Sequence, residues 1–179
     1  KMAMTLITTN TSSNAATSAF TSSIDSTYKL YIFKFIDVNP ETDDVHFQFQ
    51  ASTDGGSSYG LTITSTMFYA EHGESDSPAG GFTYHTGGDL AQSTSDQQLA
   101  RNCGGGSDES FAGTLWLFNP SNTTYVKHFY ATITQLHSSD RQVPRYIAGY
   151  FNTTSDIDAV IFRCSADNFD GTIKMYGVG

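Results

Sequence analysis

Hydrophobic and polar residues alternate along much of this chain. In residues 45–50, Val, Phe and Phe alternate with His, Gln and Gln. A period of two is typical of a β-strand with one buried and one solvated face. On this basis we predict strands at 28–38, 45–50, 61–69, 82–86, 113–118, 125–136, 145–151, 157–164 and 172–176.

Two of these strands indicate how the sheet is organised. The strand at 28–38 is apolar on both faces, with Leu30 and Ile32 on one and three aromatic residues on the other, so we expect it to be central or at an interface. The last strand, at 172–176, follows the turn dipeptide Asp170-Gly171. We expect it to be held inside a sheet formed by earlier segments.

The turn signals between the strands predict one antiparallel, all-β domain. Turns recur at the spacing of a β-sandwich, and we predict a jelly-roll-like fold of about eight or nine strands. At most one short helix is expected, at 94–102, where an irregular strand is the alternative. The strands at 45–50 and 61–69 are predicted to form a hairpin across Asp54-Gly55-Gly56.

Residues 1–179 therefore form a single predicted domain with two less regular parts. Residues 1–27 are rich in Ser, Thr, Asn and Ala, and we expect an extended lead-in arm along a sheet edge. Residues 71–89 contain several glycines around Phe82, Tyr84 and His85, which predicts a long surface loop.

Composition and charge exclude some partners. The formal net charge is −9, and the basic residues are not clustered, so phosphate backbones and anionic lipid surfaces are poor partners. No apolar run approaches the roughly 20 residues of a membrane-spanning helix. We therefore expect neither nucleic-acid nor membrane binding.

None of the candidate catalytic and metal-binding motifs has the sequence context or spacing that its chemistry requires. Residues 56–60 (GSSYG) match the hydrolase pattern G-x-S-x-G, but a β-branched segment follows where that motif needs a helix. The five histidines are scattered, and Cys103 and Cys164 have no metal-ligand spacing. We assign no catalytic residue, metal or cofactor.

Aromatic residues give two groups of candidate contact positions. The first would contact a receptor or partner through loop tips: Tyr59, Tyr69, His72, Phe82, Tyr84 and His85. The second reflects a surplus of aromatics on both strand faces, which a homo-oligomer could bury. Its members are Tyr31, Phe33, Phe35, Trp116, Phe118 and Tyr130.

Several segments resemble virion structural proteins of tailed bacteriophages, especially those of marine cyanobacterial and pelagic hosts. These are 23–35 (SIDSTYKLYIFKF), 52–58 (STDGGSS), 117–121 (LFNPS) and 167–177 (DNFDGTIKMYG). The resemblance implies a jelly-roll-like sandwich in the particle and supplies no catalytic residues. It departs from the expected pattern at 97–106, where RNCGGG replaces a cleaner strand.

We therefore expect a non-enzymatic virion protein that decorates the capsid or forms a tail or fibre head, assembled in the host cytoplasm. Its expected partners are further copies of itself, with a trimer favoured, other virion proteins and a host surface glycan or receptor. A carbohydrate-binding, lectin-like module is the main alternative. A polysaccharide hydrolase or depolymerase is the second, because sandwich active sites can assemble from distant residues.

Overall fold

The protein is described by a computed structural model that covers residues 3–179 and forms twelve antiparallel strands. They are β1 (Met4–Ala15), β2 (Thr17–Phe20), β3 (Leu30–Pro40), β4 (Val45–Ser52), β5 (Ile63–Gly73), β6 (Ala79–Tyr84), β7 (Gln97–Cys103), β8 (Phe111–Phe118), β9 (Lys127–His137), β10 (Arg141–Phe151), β11 (Ala159–Cys164) and β12 (Phe169–Val178).

The predicted all-β, antiparallel fold is confirmed, but twelve strands replace the expected eight or nine. Residues 97–103 form β7, which is the strand alternative to the short helix considered at 94–102, and residues 3–179 contain no helix. None of the described residues therefore forms a helix able to span a membrane. Part of the predicted arm at 1–27 forms β1 and β2, while Lys1 and Met2 lie outside the described residues.

The strands form one sheet that nearly closes on itself. Its main path runs β1-β12-β3-β8-β9-β7-β4-β11-β2, and β10, β5 and β6 extend from β9. The contact between β9 and β7 is narrow, with one backbone pair, Cys103 and His137. At the opposite end β1 and β2 meet, where the Asn10 Nδ2 donates to the Ala19 carbonyl at 3.0 Å. Two narrow seams therefore join the sections of the sheet.

A core of phenylalanines fills the space that the sheet encloses. Phe162 of β11 is at its centre, 5.3 Å from the Phe33 ring and 5.2 Å from the Phe35 ring of β3. Phe49 of β4 contacts Phe129 of β9 at 5.1 Å. Each of these rings is at most 2% exposed. The core therefore packs β4 and β11 against β3 and β9, strands from distant parts of the chain.

The predicted hairpin of residues 45–50 and 61–69 is wrong. β4 pairs with β7 and β11, whereas β5 pairs with β6 and β10. The turn at Asp54 reverses the chain as expected, with its side chain accepting from the Ser58 backbone at 2.9 Å. The residues after it nevertheless cross to another part of the sheet. Local turn chemistry thus identified a reversal without identifying the pairing partner.

The last strand is clasped between earlier strands as predicted, since β12 lies between β1 and β3. Asp170-Gly171, expected to form the preceding turn, instead lies inside β12 at a register shift. Gly171 has φ of +134°, and a Cβ there would lie 2.8 Å from the Val38 Cα. Glycine is therefore needed at this bulge for both its backbone conformation and its size.

Candidate binding surface

Six aromatic side chains lie on the outer side of five adjacent strands, β8, β9, β10, β5 and β6. We call this surface the aromatic face; its residues are Phe68, Phe82, Tyr84, Trp116, Tyr130 and Tyr146. With neighbouring strands about 4.8 Å apart, four intervals give a width of roughly 19 Å. Groups of exposed apolar side chains can mark interaction sites on proteins.

Alternation within each strand produces this surface. On β10, Arg145 and Ile147 point into the protein, while Tyr146 is 42% exposed. The registers then place Trp116 opposite Tyr130, and Tyr146 opposite Phe68. Residues from distant parts of the sequence are thereby assembled on one side of the sheet.

Ring contacts divide the aromatic face into two clusters. Trp116 and Tyr130 stack with centroids 4.6 Å apart and ring planes inclined by 16°. In the second cluster, Phe82 stacks on Phe68 at 5.2 Å and contacts Tyr146 at 5.6 Å. The most exposed ring is Phe82, at 65%. The rings support one another, and their remaining surface faces solvent.

The structure separates the predicted loop-tip residues. Phe82 and Tyr84 belong to the aromatic face, on β6, which overlaps the short strand predicted at 82–86 within the surface loop of residues 71–89. Tyr84 donates to the Asp89 carboxylate at 2.6 Å, which raises the pKa of the tyrosine. His72 is exposed at the other end of β5 and lies 3.2 Å from Asp76.

The other predicted loop-tip residues do not join the aromatic face. Tyr69 and His85 are only partly exposed and pack together, with ring centroids 5.0 Å apart. Tyr59 lies in the loop between β4 and β5, where its hydroxyl is buried and has no hydrogen-bond partner among the described residues. The six positions therefore do not form one contact surface.

Half of the predicted oligomer interface is corrected by the structure. Tyr31, Phe33 and Phe35 are at most 2% exposed and lie in the protein's own core. They are not available to a second copy. The reason is that β3 is central, with the core side chains of β4 and β11 covering its aromatic side. Trp116 and Tyr130 lie on the aromatic face, and Phe118 is 42% exposed at the end of β8.

Phe68 and Tyr146 also belong to this surface, although the sequence argument did not select them. The signal was present in the period-two pattern of residues 145–151, which puts Tyr146 opposite in orientation to Ile147. The pattern does not give the register between neighbouring strands. Only pairing of β10 with β5 shows that Tyr146 and Phe68 are neighbours.

A buried arginine lies directly behind the aromatic face. Arg145 is 3% exposed and donates from Nε to the Gln135 Oε1 at 2.8 Å and from Nη2 to the Arg101 carbonyl at 3.2 Å. Its Nη1 lies 3.2 Å from the His85 Nδ1. Burial lowers the pKa of Arg145 to about 10. Burial, followed by the charges of Arg101 and Arg145, lowers the pKa of His85 to about 4, so its neutral ring can accept from Arg145.

The GSSYG motif at residues 56–60 is part of the loop between β4 and β5. The Ser58 backbone and side chain both bond to Asp54, and no histidine takes part in these hydrogen bonds. Within residues 3–179, no group of three His, Cys, Asp or Glu side chains is arranged to hold a metal ion. Both cysteines are buried and unpaired.

No protein-family model matches the chain, and no curated protein or solved structure matches it either.

Proposed function

We propose that this protein is a non-enzymatic structural component of a tailed-bacteriophage virion that assembles with further copies of itself through the aromatic face. The observation that carries the proposal is the set of six large aromatic residues, in two ring clusters on one side of the sheet, that the protein's own core leaves outside. Interfaces are enriched in aromatic residues and depleted of charged ones at their centres.

A closed oligomer, with a trimer favoured, would bury this face on every copy and leave no unpaired patch. In the particle, the protein would decorate the capsid or form part of a tail or fibre head after assembly in the host cytoplasm. The sequence resemblance to virion proteins supports this location. The remaining outer loops could then contact other virion proteins or the host surface.

We further propose that the nearly closed sheet is a distorted, jelly-roll-like sandwich. Its two layers would be the β2-β11-β4-β7 section and the β12-β3-β8-β9 section. Ring contacts across the core support this, since Phe162 and Phe47 of the first section pack on Phe33, Phe35 and Phe111 of the second.

The assembly is tested by light scattering coupled to size-exclusion chromatography. We expect a stable oligomer for the native protein, and a monomer with unchanged circular dichroism when Trp116→Ser and Tyr146→Ser are combined. Tyr176→Ser is the matched control, because this tyrosine is partly exposed on β12, beyond the aromatic face. A native monomer at high concentration would refute assembly through this surface.

The location is tested separately by mass spectrometry of particles purified from the phage that encodes the chain. The protein should be present at the copy number of a structural component. Its absence from intact particles would refute the virion role, even if the purified protein were oligomeric.

A further inference from the structure

A cleft of about 550 Å³ lies beyond the aromatic face, at the end of β8 and the start of β9. We propose that this cleft binds a neutral saccharide, one or two pyranose units long. The inference does not rest on the proposed assembly, because one copy of the chain supplies the whole cleft. Its volume is within the range of roughly 300–1,000 Å³ that is typical of small-molecule sites.

Two exposed aromatic side chains provide apolar surface in the cleft. Tyr125 is 70% exposed and Phe118 is 42% exposed, and both line it. The face of a pyranose ring that carries C–H groups is apolar, so an aromatic side chain can remove it from water at little cost. The other lining residues are Asn119, Asn122, Thr124, Val126, His128 and Thr154.

The amides in the cleft define the polar chemistry of the ligand. The Asn119 Oδ1 is buried and accepts no hydrogen bond from the described residues. The Asn122 Oδ1 accepts from the Thr124 and Tyr125 backbone amides, both at 2.7 Å. That arrangement leaves the Asn122 Nδ2 as a donor. The Asn119 oxygen has almost no accessible surface, so the Asn122 N–H groups set the polar requirement, and the ligand must offer hydrogen-bond acceptors.

Hydroxyl groups meet this requirement, since each has one donor and two acceptor sites. A carboxylate or phosphate would find no lysine or arginine in the lining to balance its charge. A cation would leave the Asn122 N–H groups unsatisfied. The lining also contains no Asp, Glu, Lys or Arg. A neutral, hydroxyl-rich ligand with an apolar face is therefore favoured.

The walls of the cleft are held in place without a ligand. The side chain of Lys127 is fully buried, and its Nζ donates to the Tyr125 carbonyl at 2.9 Å and to the Thr153 carbonyl at 3.1 Å. The ammonium thus ties the bend that carries Tyr125 to the loop that carries Thr154. Pre-organisation of this kind reduces the entropic cost of binding.

The test is an NMR titration of the ¹⁵N-labelled full chain with the methyl glycosides of glucose, galactose, mannose and N-acetylglucosamine. We expect at least one glycoside to shift the amide signals of Thr124, Tyr125 and Thr154. Tyr125→Ala should weaken that binding roughly tenfold, the effect of losing one good contact. Asn122→Asp keeps the acceptor that fixes the loop but removes the donor, and should weaken binding by a similar factor.

Tyr176→Ala is the matched control, because this tyrosine is partly exposed on β12, outside both the cleft and the aromatic face, and it should bind as the native protein does. The proposal is overturned if no glycoside shifts the cleft signals, or if Tyr125→Ala and Asn122→Asp bind as well as the native chain. Preferential binding of sialylated or sulfated glycans on an array would refute the neutral class. A Trp116→Ser/Tyr146→Ser protein that is monomeric but still binds sugar would separate this site from the proposed assembly.

Discussion

Replacement of Gln135 by Met should destabilise the protein far more than replacement of the buried charge beside it. The Gln135 Oε1 accepts from the Arg101 backbone amide at 3.0 Å and from the Arg145 Nε at 2.8 Å. Its Nε2 donates to the Arg101 carbonyl at 2.6 Å. Gln135 is 2% exposed, and its side chain therefore extends the narrow seam between β9 and β7.

The magnitude follows from which groups lose their partners. In Gln135→Met, the Arg101 N–H and the Arg145 Nε both become unpaired, at about 1–3 kcal/mol for the amide and more for the charged group. We expect a total of about 3–5 kcal/mol, the usual cost of leaving a buried charge without its partner. In Arg145→Met, the Arg101 amide and carbonyl keep their bonds to Gln135. The His85 Nδ1 and the weakly accepting Met67 Sδ lose their donor, and the Tyr69 ring loses a cationic neighbour at 5.5 Å. No charged group is left unpaired, so we expect about 1.5 kcal/mol or less.

The assay is equilibrium unfolding in urea, followed by circular dichroism and tryptophan fluorescence, with the shift of the midpoint measured at constant slope. Gln135→Glu is the matched control, because a carboxylate keeps the acceptor and gives Arg145 an opposite charge. Gln135→Glu should lower the free energy of unfolding less than Gln135→Met does. If Arg145→Met were as destabilising as Gln135→Met, the idea that the glutamine amide holds this seam would be refuted.

Three further predictions concern pH, thiol reactivity and the core. Because the folded pKa of His85 is about 4 and its ordinary value is 6.5, the unfolded chain binds the proton first. The free energy of unfolding should therefore fall by about 1–2 kcal/mol, after solvent screening, as the pH drops from 6.5 to 4. Melting curves should show a smaller loss of stability for His85→Gln over the same pH range. An equal loss in the two proteins would contradict this prediction. Burial raises the pKa of Cys103 and Cys164 to about 12. Thiol reagents should therefore label the two cysteines only in denaturant. Rapid labelling of the native protein would show that the thiols are not protected by burial. Phe162→Ala should lower the free energy of unfolding in urea by about 3–5 kcal/mol. Phe82→Ala, at a position 65% exposed, should change it by less than about 0.5 kcal/mol. Similar losses for the two variants would argue against Phe162 as the centre of the core.

Local alternation predicted much of the fold because burial on one side of a strand acts residue by residue. The two faces of β3 were separated correctly, with Tyr31 and Phe33 together on one side. β1 was harder to recognise, since its Thr, Ser and Asn residues show little hydrophobic alternation. It is a strand because its backbone pairs with β12 along its length. A local sequence pattern does not determine which strands pair.

The candidate surface could be predicted only in part, for the same reason. Phe82 and Tyr84 were selected from their surroundings in the sequence, and Trp116 and Tyr130 from the excess of aromatic residues. That these two groups share one face depends on β9, β10 and β5 being consecutive neighbours. The same dependence explains the error at Tyr31, whose burial comes from a layer built by other segments.

The hydrogen bonds of Arg145 and the aromatic face lie on opposite sides of β10. Arg145 and Tyr146 are adjacent on β10, so the first points to the seam and the second to solvent. Bonds from Arg145 and Gln135 that fix β10 and β9 against β7 therefore also fix the backbone that carries Tyr146 and Tyr130. A rigid backbone lowers the cost of binding, because fewer conformations are lost when the surface is covered. In the proposed assembly, loosening the seam should consequently weaken contacts made through the aromatic face, although Arg145 and Gln135 are buried behind it.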